Sequence, residues 1–419
     1  MTGGAQTHWT TPEARLRTVD ARGRRQVVQA EVVRFNVEQR HHGVSWASIT
    51  IVAAEPGGGH PPWLHRDMKA LGPGAWVQVD VRYRGGLPAR IAGGNVDVRL
   101  TTDGDDALSD WVPLIIARIA THRQRIPSGG AAQIDLQCED LLGLIRRDPP
   151  RVGVFERIDE SDIVRANLDT FAPTIATEID PSGIAGPLPF VQQPRHTSAL
   201  AFLTELADRL DFELYADVNP PSDPDGTPTI RFRRSRARQP SRGVDVVYAF
   251  NLIGFSATAS PWTVATDVIA KGIDPEECTP FEVSADTSAL QAEVDTSSPM
   301  ISAVDIREQA ASREGSPPDN VVYLSANNLD GARAQRWCDA VYLRRARGFL
   351  TAEAVVVGLP SLRAGAHVQL RGLYAPYDGR YYVTRATHAF DQAGYRTTLQ
   401  LERAGWSDPA TYPRRAEAS

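Results

Sequence analysis

Lysine, cysteine and long apolar runs are what this sequence most plainly lacks. Only Lys69 and Lys271 are lysines, so arginine supplies nearly all of the positive charge. The net charge of -6 argues against nucleic-acid binding, because neutralising phosphates takes a basic surface. No apolar run approaches the ~18 residues of a membrane span, and residues 1–11 lack a signal-peptide pattern. We expect a chain that is made and folded in the cytoplasm and has no membrane span.

The cysteines and the missing catalytic motifs exclude further functions. Cys138, Cys278 and Cys338 lie far apart without Cys-x-x-Cys spacing, which predicts buried free thiols in a reducing compartment. The sequence contains no Gly-x-Ser-x-Gly, P-loop, His-Glu-x-x-His or Gly-x-Gly-x-x-Gly motif. We therefore predict no catalytic site, no cofactor and no metal.

The sequence has the composition of a soluble globular protein and is rich in strand patterns. Its 419 residues, 42% of them hydrophobic, predict roughly two to four domains. Residues 348–403 alternate apolar and polar side chains, which predicts four antiparallel strands. One predicted buried face holds Ala366, Val368 and Leu370, opposite His367, Gln369 and Arg371. Another holds Tyr395, Thr397, Leu399 and Leu401. The predicted turn residues are Gly358, Pro360, Asp378, Gly379 and Gly394.

A short internal repeat suggests that this pattern occurs twice. Residues 71–79 match residues 362–370 as Leu-x-x-Gly-Ala-x-Val-Gln-aliphatic. Gly74, Val77 and Val79 correspond in this match to Gly365, Val368 and Leu370. Nine positions could coincide by chance in a chain rich in glycine and alanine. Otherwise the protein contains two related small antiparallel β-barrels, one near each end.

The remaining patterns divide the chain into four parts. The predicted fold is mainly β with α+β insertions: two related barrels and a central α+β module. The parts are an N-terminal arm at 1–25, a first barrel at 26–105, the central module at 106–240, and a second barrel at 241–419 with an acidic, polar insertion at 274–320. The first barrel has predicted strands at 27–37, 46–52, 76–83 and 89–100 and a Gly/Pro loop at 55–62. The module has strands at 111–121, 133–137, 212–216 and 229–232 and helices at 139–146, 161–168 and 198–210. The last part has strands at 244–250, 254–259 and 264–272 and a helix at 329–345.

Three polar clusters are weaker candidates for a site. Neighbours such as His41 and His42 point to opposite sides of a strand, so joint metal binding is disfavoured. Asp103, Asp105 and Asp106 form an acidic turn without the closing glutamate of a calcium loop. A basic cluster favours a solvated strand end, or a face that pairs with acids of a neighbouring subunit such as Glu276, Glu277 and Glu282, over nucleic-acid binding. Its members are Arg231, Arg233, Arg234, Arg236 and Arg238.

The order of these elements resembles the late control protein D family, the hub proteins of contractile-phage baseplates. The resemblance covers about residues 28 to 405. The sequence departs from the family at 274–320 and at 55–62. It also ends at Ser419 without the fused OB-fold and β-helical spike of type VI secretion spike proteins. Its C-terminal motif residues are Gly358, Pro360, Leu362, Gly365, Asp378, Gly379, Tyr382, His388, Gly394 and Tyr395. Its central motif residues are Gln192 or Gln193, Ser198, Phe202, Leu203, Leu206, Ala207 and Phe212.

The resemblance implies a structural protein rather than an enzyme. A homotrimer would give six barrels to a ring that adapts a threefold spike protein below to a sixfold inner tube or tube-initiator protein above, with baseplate wedge proteins as further contacts. It implies assembly into a phage tail or a phage-tail-like particle.

Two alternatives stay open. A cell-wall or glycan hydrolase would need a close carboxylate pair, for which Asp135, Glu139 or Asp140 could join distant acids. A receptor-binding module would need exposed aromatic platforms. The candidates for these are Trp9, Trp46, Trp63 and Trp76.

Overall fold

A computed structural model of the chain describes most of residues 11–407. The described residues are 11–20, 22–52, 70–84, 90–93, 96–100, 111–126, 128, 132–147, 153–171, 175–194, 196–217, 225–238, 243–292, 300–314, 320–373 and 376–407. The predicted loop at 55–62 and the acidic turn at 103–106 lie outside them, as do Trp9 and Trp63.

Strands dominate the described residues. They are β1 Pro12–Val19, β2 Arg25–Val27, β3 Glu31–Arg40, β4 Trp46–Val52, β5 Trp76–Tyr83, β6 Arg90–Gly93, β7 Val96–Arg99, β8 Val112–Arg125, β9 Gln133–Glu139, β10 Val154–Ile158, β11 Ala176–Ile179, β12 Leu188–Gln192, β13 Phe212–Asp217, β14 Thr229–Arg234, β15 Val244–Val247, β16 Leu252–Ala259, β17 Asp267–Ile273, β18 Pro280–Ala285, β19 Met300–Ser302, β20 Val321–Ser325, β21 Leu350–Val357, β22 His367–Arg371, β23 Gly379–Asp391, β24 Gly394–Arg403 and β25 Gly405–Ser407. The helices are α1 Leu142–Arg147, α2 Glu160–Phe171, α3 Ala199–Leu210, α4 Ala303–Glu314 and α5 Gly331–Arg347. The predicted class, mainly β with α+β insertions, is confirmed.

One 13-stranded sheet joins the two ends of the chain. Its order is β16-β21-β24-β23-β3-β4-β9-β8-β5-β1-β2, with β22 beside β23 and β15 beside β22. The four strands predicted in residues 348–403 are β21 to β24, and all four are present. Closure of either half into a barrel stays a prediction.

The N-terminal arm is corrected by the structure. Residues 12–19 form β1, which pairs antiparallel with β5 from Pro12↔Tyr83 to Val19↔Trp76. Arg15 and Arg17 reach the carboxylate of Asp80, which is fully buried, with shortest N–O distances of 2.7 Å and 2.6 Å. The segment looks polar in sequence because these arginines neutralise a buried acid.

Two strands that the sequence assigned to the central module belong to the large sheet. β8 pairs with β5, and β9 pairs with both β4 and β8. Strand periodicity shows that a segment is a strand but does not indicate its sheet, so the predicted boundary at 106 separates β8 and β9 from their partners. The domain bounds themselves stay a prediction.

The rest of the predicted module is a small α+β unit. β13 and β14 pair antiparallel, β11 adds to β14 in parallel, and α3 packs on β13. Ser198 caps α3 by accepting a hydrogen bond from the Ala201 N–H, as predicted. Leu200, Leu203 and Leu206 are buried in the core that this unit shares with the C-terminal half of the sheet.

The predicted insertion at 274–320 contains regular structure where it is described. β18 pairs with β17, which also pairs with β20, and α5 packs against β17 and β18. β17, predicted as a strand of the second barrel, therefore belongs to this separate sheet. A polar composition misled the prediction because alternate residues of β18 are exposed.

Candidate assembly interface

The sequence repeat is a repeated turn in the structure. Gly74 has φ +91° and Gly365 has φ +79°, a conformation that glycine adopts without strain. The Gly74 N–H donates to the Ile119 carbonyl at 2.8 Å, and the Gly365 N–H donates to the Val383 carbonyl at 2.7 Å. The return bonds also match, from Ile119 to the Ala75 carbonyl at 2.8 Å and from Val383 to the Ala366 carbonyl at 2.9 Å. Both segments of the sequence match therefore form the same turn, which supports a genuine repeat.

The repeat extends far beyond nine residues. Copy one is β3-β4-β9-β8-β5 and copy two is β16-β21-β24-β23-β22, two runs of antiparallel neighbours in the same order. Ala120 in β8 and Thr384 in β23 are unpaired bulge residues at the same position after the turn bonds. Val33 in β3 and Ile253 in β16 are a second matching pair of bulges.

A second sequence match follows from this alignment. Leu136-Gln137-Cys138-Glu139 in β9 corresponds to Leu399-Gln400-Leu401-Glu402 in β24. Four matching residues are too short a segment to be recognised in the sequence without the strand register.

The two copies meet through unlike elements. Copy one presents β3, and copy two presents the second half of β23, paired from Arg40↔Arg385 to Phe35↔Phe390. The rings of Phe35 and Phe390 stack with centroids 5.4 Å apart. Tyr395 of copy two packs against Phe35 at 6.1 Å and belongs to the hydrophobic core of copy one. Such a contact between different surfaces of similar units is heterologous.

In each copy, the matching element keeps one strand edge unpaired among the described residues. β16 corresponds to β3 and ends the sheet, apart from one bridge of Leu252 to Tyr248. Residues 121–126 of β8 correspond to residues 385–390 of β23 and pair only with β9 among the strands that the structure describes. Ile126 is 60% exposed. The unpaired edges have the chemistry of an interface, because open strand edges template pairing with another chain.

A buried ionic cluster fixes the central module on copy two. The Glu213 carboxylate accepts hydrogen bonds from Tyr382 Oη at 2.5 Å, Ser235 Oγ at 2.9 Å and Arg236 Nε at 2.9 Å. Burial acts to raise the pKa of Glu213, but the charge of Arg236 and the hydrogen bonds from Tyr382 and Arg236, together with other nearby groups, outweigh burial and hold the pKa below its ordinary value. Burial raises the pKa of Tyr382 well above its ordinary value, so the phenol stays protonated and donates.

His367 belongs to this cluster and corrects its predicted exposure. It is 5% exposed, and its ring lies 5.4 Å from that of Tyr382. Burial, together with the charges of Arg380 and Arg236, lowers the pKa of His367 to about 4. Its neighbours Gln369 and Arg371 are less buried than Val368 and Leu370, as predicted.

Asp211 anchors two further arginines to the module. The Arg347 guanidinium binds it in a bidentate manner at 2.7 Å and 2.8 Å, and Arg238 Nε lies 2.5 Å from it. Burial acts to raise the pKa of Asp211, but Arg347 and Arg238 together outweigh burial, and the net pKa lies below its ordinary value. Asp211 also ends α3 in the left-handed conformation with φ +55°. Three arginines of the predicted basic cluster thus meet acids of their own chain: Arg236 pairs with Glu213, Arg238 with Asp211, and Arg231 with Asp217 and Glu178.

The other predicted motif residues have structural roles. Leu362, Val368, Leu370, Val77 and Val79 are buried core residues. Asp378 accepts the N–H groups of Gly372 and Leu373 at 3.0 Å and 2.6 Å. A side chain at Gly358 would collide with the Tyr395 ring, and one at Gly379 would collide with Arg403. Pro360 is buried, and Gly394 turns the chain into β24 with φ +114°.

His388 lies at the junction of the two copies. It is fully buried in β23, and its Nδ1 is 2.8 Å from Tyr395 Oη and 3.2 Å from Thr397 Oγ1. Burial lowers the pKa of His388 to about 3, so the ring is neutral.

The candidate hydrolase carboxylates each have a separate partner. Asp135 accepts from Thr50 Oγ1 at 2.8 Å, and Glu139 pairs with Arg146. Burial raises the pKa of Asp140 to about 7, while donors including the Ser45 and Leu142 N–H groups oppose that shift. These contacts tie the start of α1 to the turn before β4, so Asp140 has a structural explanation.

The histidine pair and the aromatic candidates give no site. His41 Nδ1 donates to the Thr384 carbonyl at 2.9 Å, and His42 Nδ1 accepts the Leu214 N–H at 2.9 Å. No cluster of three or more potential metal ligands occurs among the described residues. Trp46 and Trp76 are partly buried in strands. Cys278 is exposed, which corrects the prediction of three buried thiols. Within the part of the chain described, no helix is long and apolar enough to cross a membrane.

Comparison with known proteins identifies the fold. No protein-family model and no curated protein matches the sequence. A tail protein of Neisseria meningitidis superposes with a TM-score of 0.58 at 13% identity, covering 96% of this chain and 100% of the other. A 43 kDa prophage tail protein of Shewanella oneidensis gives 0.57 at 12% identity, covering 94% and 99%. A type VI secretion component of E. coli, described as similar to T4 bacteriophage tail proteins, gives 0.52 at 11% identity, covering 90% and 76%. The chain therefore has the fold that the sequence resemblance predicted.

Proposed function

We propose that this chain is a structural baseplate hub of a contractile injection system. In this proposal three chains form a ring that adapts a threefold spike protein below to the sixfold inner tube or a tube-initiator protein above. Baseplate wedge proteins are further proposed contacts, and the ring is part of a phage tail or a phage-tail-like particle. The fold shared with tail proteins supports this class of function.

One observation carries the proposal. Within a single chain, copy one and copy two meet through β3 and β23, which are not equivalent elements. A heterologous contact repeats from unit to unit and closes into a ring when the rotation allows. Each chain also has the two matching elements, β16 and residues 121–126, each with one edge that is unpaired among the described residues. Three chains with two copies each give six similar units around threefold symmetry, which is what a spike-to-tube adaptor needs.

A hydrolase is less well supported than the hub. Asp135, Glu139 and Asp140 bind different partners in the structure, and Asp140 is inaccessible at 2% exposure. That no catalysis occurs stays a prediction, tested by incubating the protein with peptidoglycan and measuring soluble fragments.

The test of the hub is the mass of the purified protein by light scattering during size exclusion, with and without the candidate spike protein. A subunit of 45.7 kDa predicts a trimer of about three times that mass, visible as a ring by electron microscopy. A protein that remains a monomer at high concentration with the spike protein present would contradict the proposal. Peptidoglycan release by a monomer would favour the hydrolase.

A further inference from the structure

We infer the residue register by which neighbouring chains pair: residues 121–126 of one chain lie antiparallel to residues 255–260 of the next, from Thr121↔Ser260 to Ile126↔Phe255. This inference rests on the proposed ring and adds the identity of its contacts. The partner is a second molecule of this protein, because the proposed strand pairing repeats the pairing of β3 with β23 that is already present between copy one and copy two.

The register follows from the bulges, which fix the alignment of the two copies. The bulge at Thr384 corresponds to that at Ala120, so residues 385–390 of β23 align with residues 121–126 of β8. The bulge at Val33 corresponds to that at Ile253, so residues 35–40 of β3 align with residues 255–260. Transferring the observed pairs Phe35↔Phe390 and Arg40↔Arg385 then gives Phe255↔Ile126 and Ser260↔Thr121.

The side chains on the core face suit this pairing. Phe35 and Phe390 stack within the chain, and the corresponding pair between chains is Phe255 with Ile126. Phe255 is half-buried, and Ile126 is 60% exposed in the single chain. The pairing would bury both, and covering a large aliphatic side chain stabilises an interface.

The opposite face is also complementary. Arg123 and Arg125 are exposed, although Arg125 also reaches Asp135 at 3.1 Å. The register places them against Thr258 and Ser256, small side chains that leave room for a guanidinium. Glu353 lies in the adjacent strand β21, where it pairs with Ser256, and its side chain is exposed. Arg125 of one chain would therefore face this acid of the next chain.

The two contacts differ at one end. His41 of copy one donates its N–H to the Thr384 carbonyl at 3.1 Å, beyond the last paired residue of β3. Pro261 stands at the corresponding position of copy two and has no N–H. It begins a short 3-10 turn at Pro261–Thr263, so the pairing between chains stops at Ser260.

Cysteine pairs in the full-length chain test the register, in a Cys278→Ser background because Cys278 is exposed. Arg123→Cys with Thr258→Cys places thiols directly opposite each other, within the Cα separation of about 4.4–6.8 Å that a disulfide needs. Arg123→Cys with Ser256→Cys is the matched control with a two-residue slip, where the separation is greater. Mild oxidation should convert at least half of the first protein to covalent dimers and trimers, and at least fivefold less of the second.

The outcomes separate the register from the ring. A trimer by light scattering in which the first pair fails to cross-link, or both pairs cross-link equally, overturns the register and leaves the hub intact. A monomer overturns both. As a second readout, Ile126→Glu should raise the trimer dissociation constant at least tenfold without lowering the melting temperature of the monomer. Val154→Glu is the matched control, at a residue of β10 that is 52% exposed, and it should leave the trimer dissociation constant unchanged. A trimer that tolerates Ile126→Glu overturns the inference.

Discussion

The repeated turn allows one substitution to be made twice in the same molecule. Alanine at Gly74 or at Gly365 meets the same left-handed backbone, which costs about 1–2 kcal/mol for a residue with a side chain. The surroundings differ. A Cβ at Gly74 would lie 3.4 Å from Arg118 Nη2, an ordinary contact. A Cβ at Gly365 would lie 1.8 Å from Arg236 Nη2, so the guanidinium has to move.

The cost of that movement can be estimated from the ionic cluster. Arg236 Nε is 2.9 Å from Glu213, and Glu213 is only 2% exposed. Displacing one partner of a buried ion pair costs about 3–5 kcal/mol, because the remaining charge is left uncompensated. Gly365→Ala should therefore destabilise the protein by about 4–7 kcal/mol, and Gly74→Ala by about 1–2 kcal/mol.

The assay is urea unfolding followed by tryptophan fluorescence and circular dichroism, with the free energies of unfolding compared between the two variants. A third protein removes the cause: in a Glu213→Leu, Arg236→Leu background, Gly365→Ala should cost no more than Gly74→Ala. Equal costs for the two glycines in the native background would refute the argument. So would a large cost for Gly365→Ala that persists without the ion pair.

Two further predictions concern copy two. Leu370→Asp places a charge at a fully buried position and should cost several kcal/mol, about 4 or more, whereas Gln369→Asp on the other face should leave the fold intact; equal losses of melting temperature would contradict the assigned faces. The pKa of His388 is lowered to about 3 by burial, so the unfolded chain binds a proton that the folded chain rejects, and stability falls as the pH drops from about 6.5 toward 3. Gln124 of copy one corresponds to His388, so His388→Gln is the natural replacement. It should reduce the slope of the unfolding free energy against pH by up to about 1.4 kcal/mol per pH unit. An unchanged slope in acid titrations of unfolding would contradict this prediction.

The sequence predicted local structure well and pairing poorly. β4 and β5 were predicted to the residue, because their runs of β-branched and aromatic residues are recognisable within the segment itself. The pairing of β3 with β23 left no local signal, since its partners lie at opposite ends of the chain. The N-terminal strand was missed because Arg15 and Arg17 look solvent-directed until the buried Asp80 is placed beside them.

The candidate interface was half visible in the sequence. The turn at Gly74 and Gly365 revealed that a repeat exists, because glycine is needed where φ is positive. The bulges at Ala120 and Thr384 carry no residue signature, and they are what fix the register. His367 was assigned to the exposed face from the alternation of apolar and polar residues alone. Alternation does not reveal that a polar side chain is buried beside a buried polar neighbour such as Glu213.

The contact between β3 and β23 also sets the timing of folding. Arg40 and its partner Arg385 are about 345 residues apart in the chain. A ribosome working at about 5–20 residues per second needs roughly 20 to 70 s to supply the second strand after the first. During that interval β3 is a bare edge next to other nascent chains that expose the same edge. A polysome carrying this message would therefore risk pairing strands between molecules, and slowing synthesis should lower the yield of correctly folded protein more than it does for proteins whose strands pair locally.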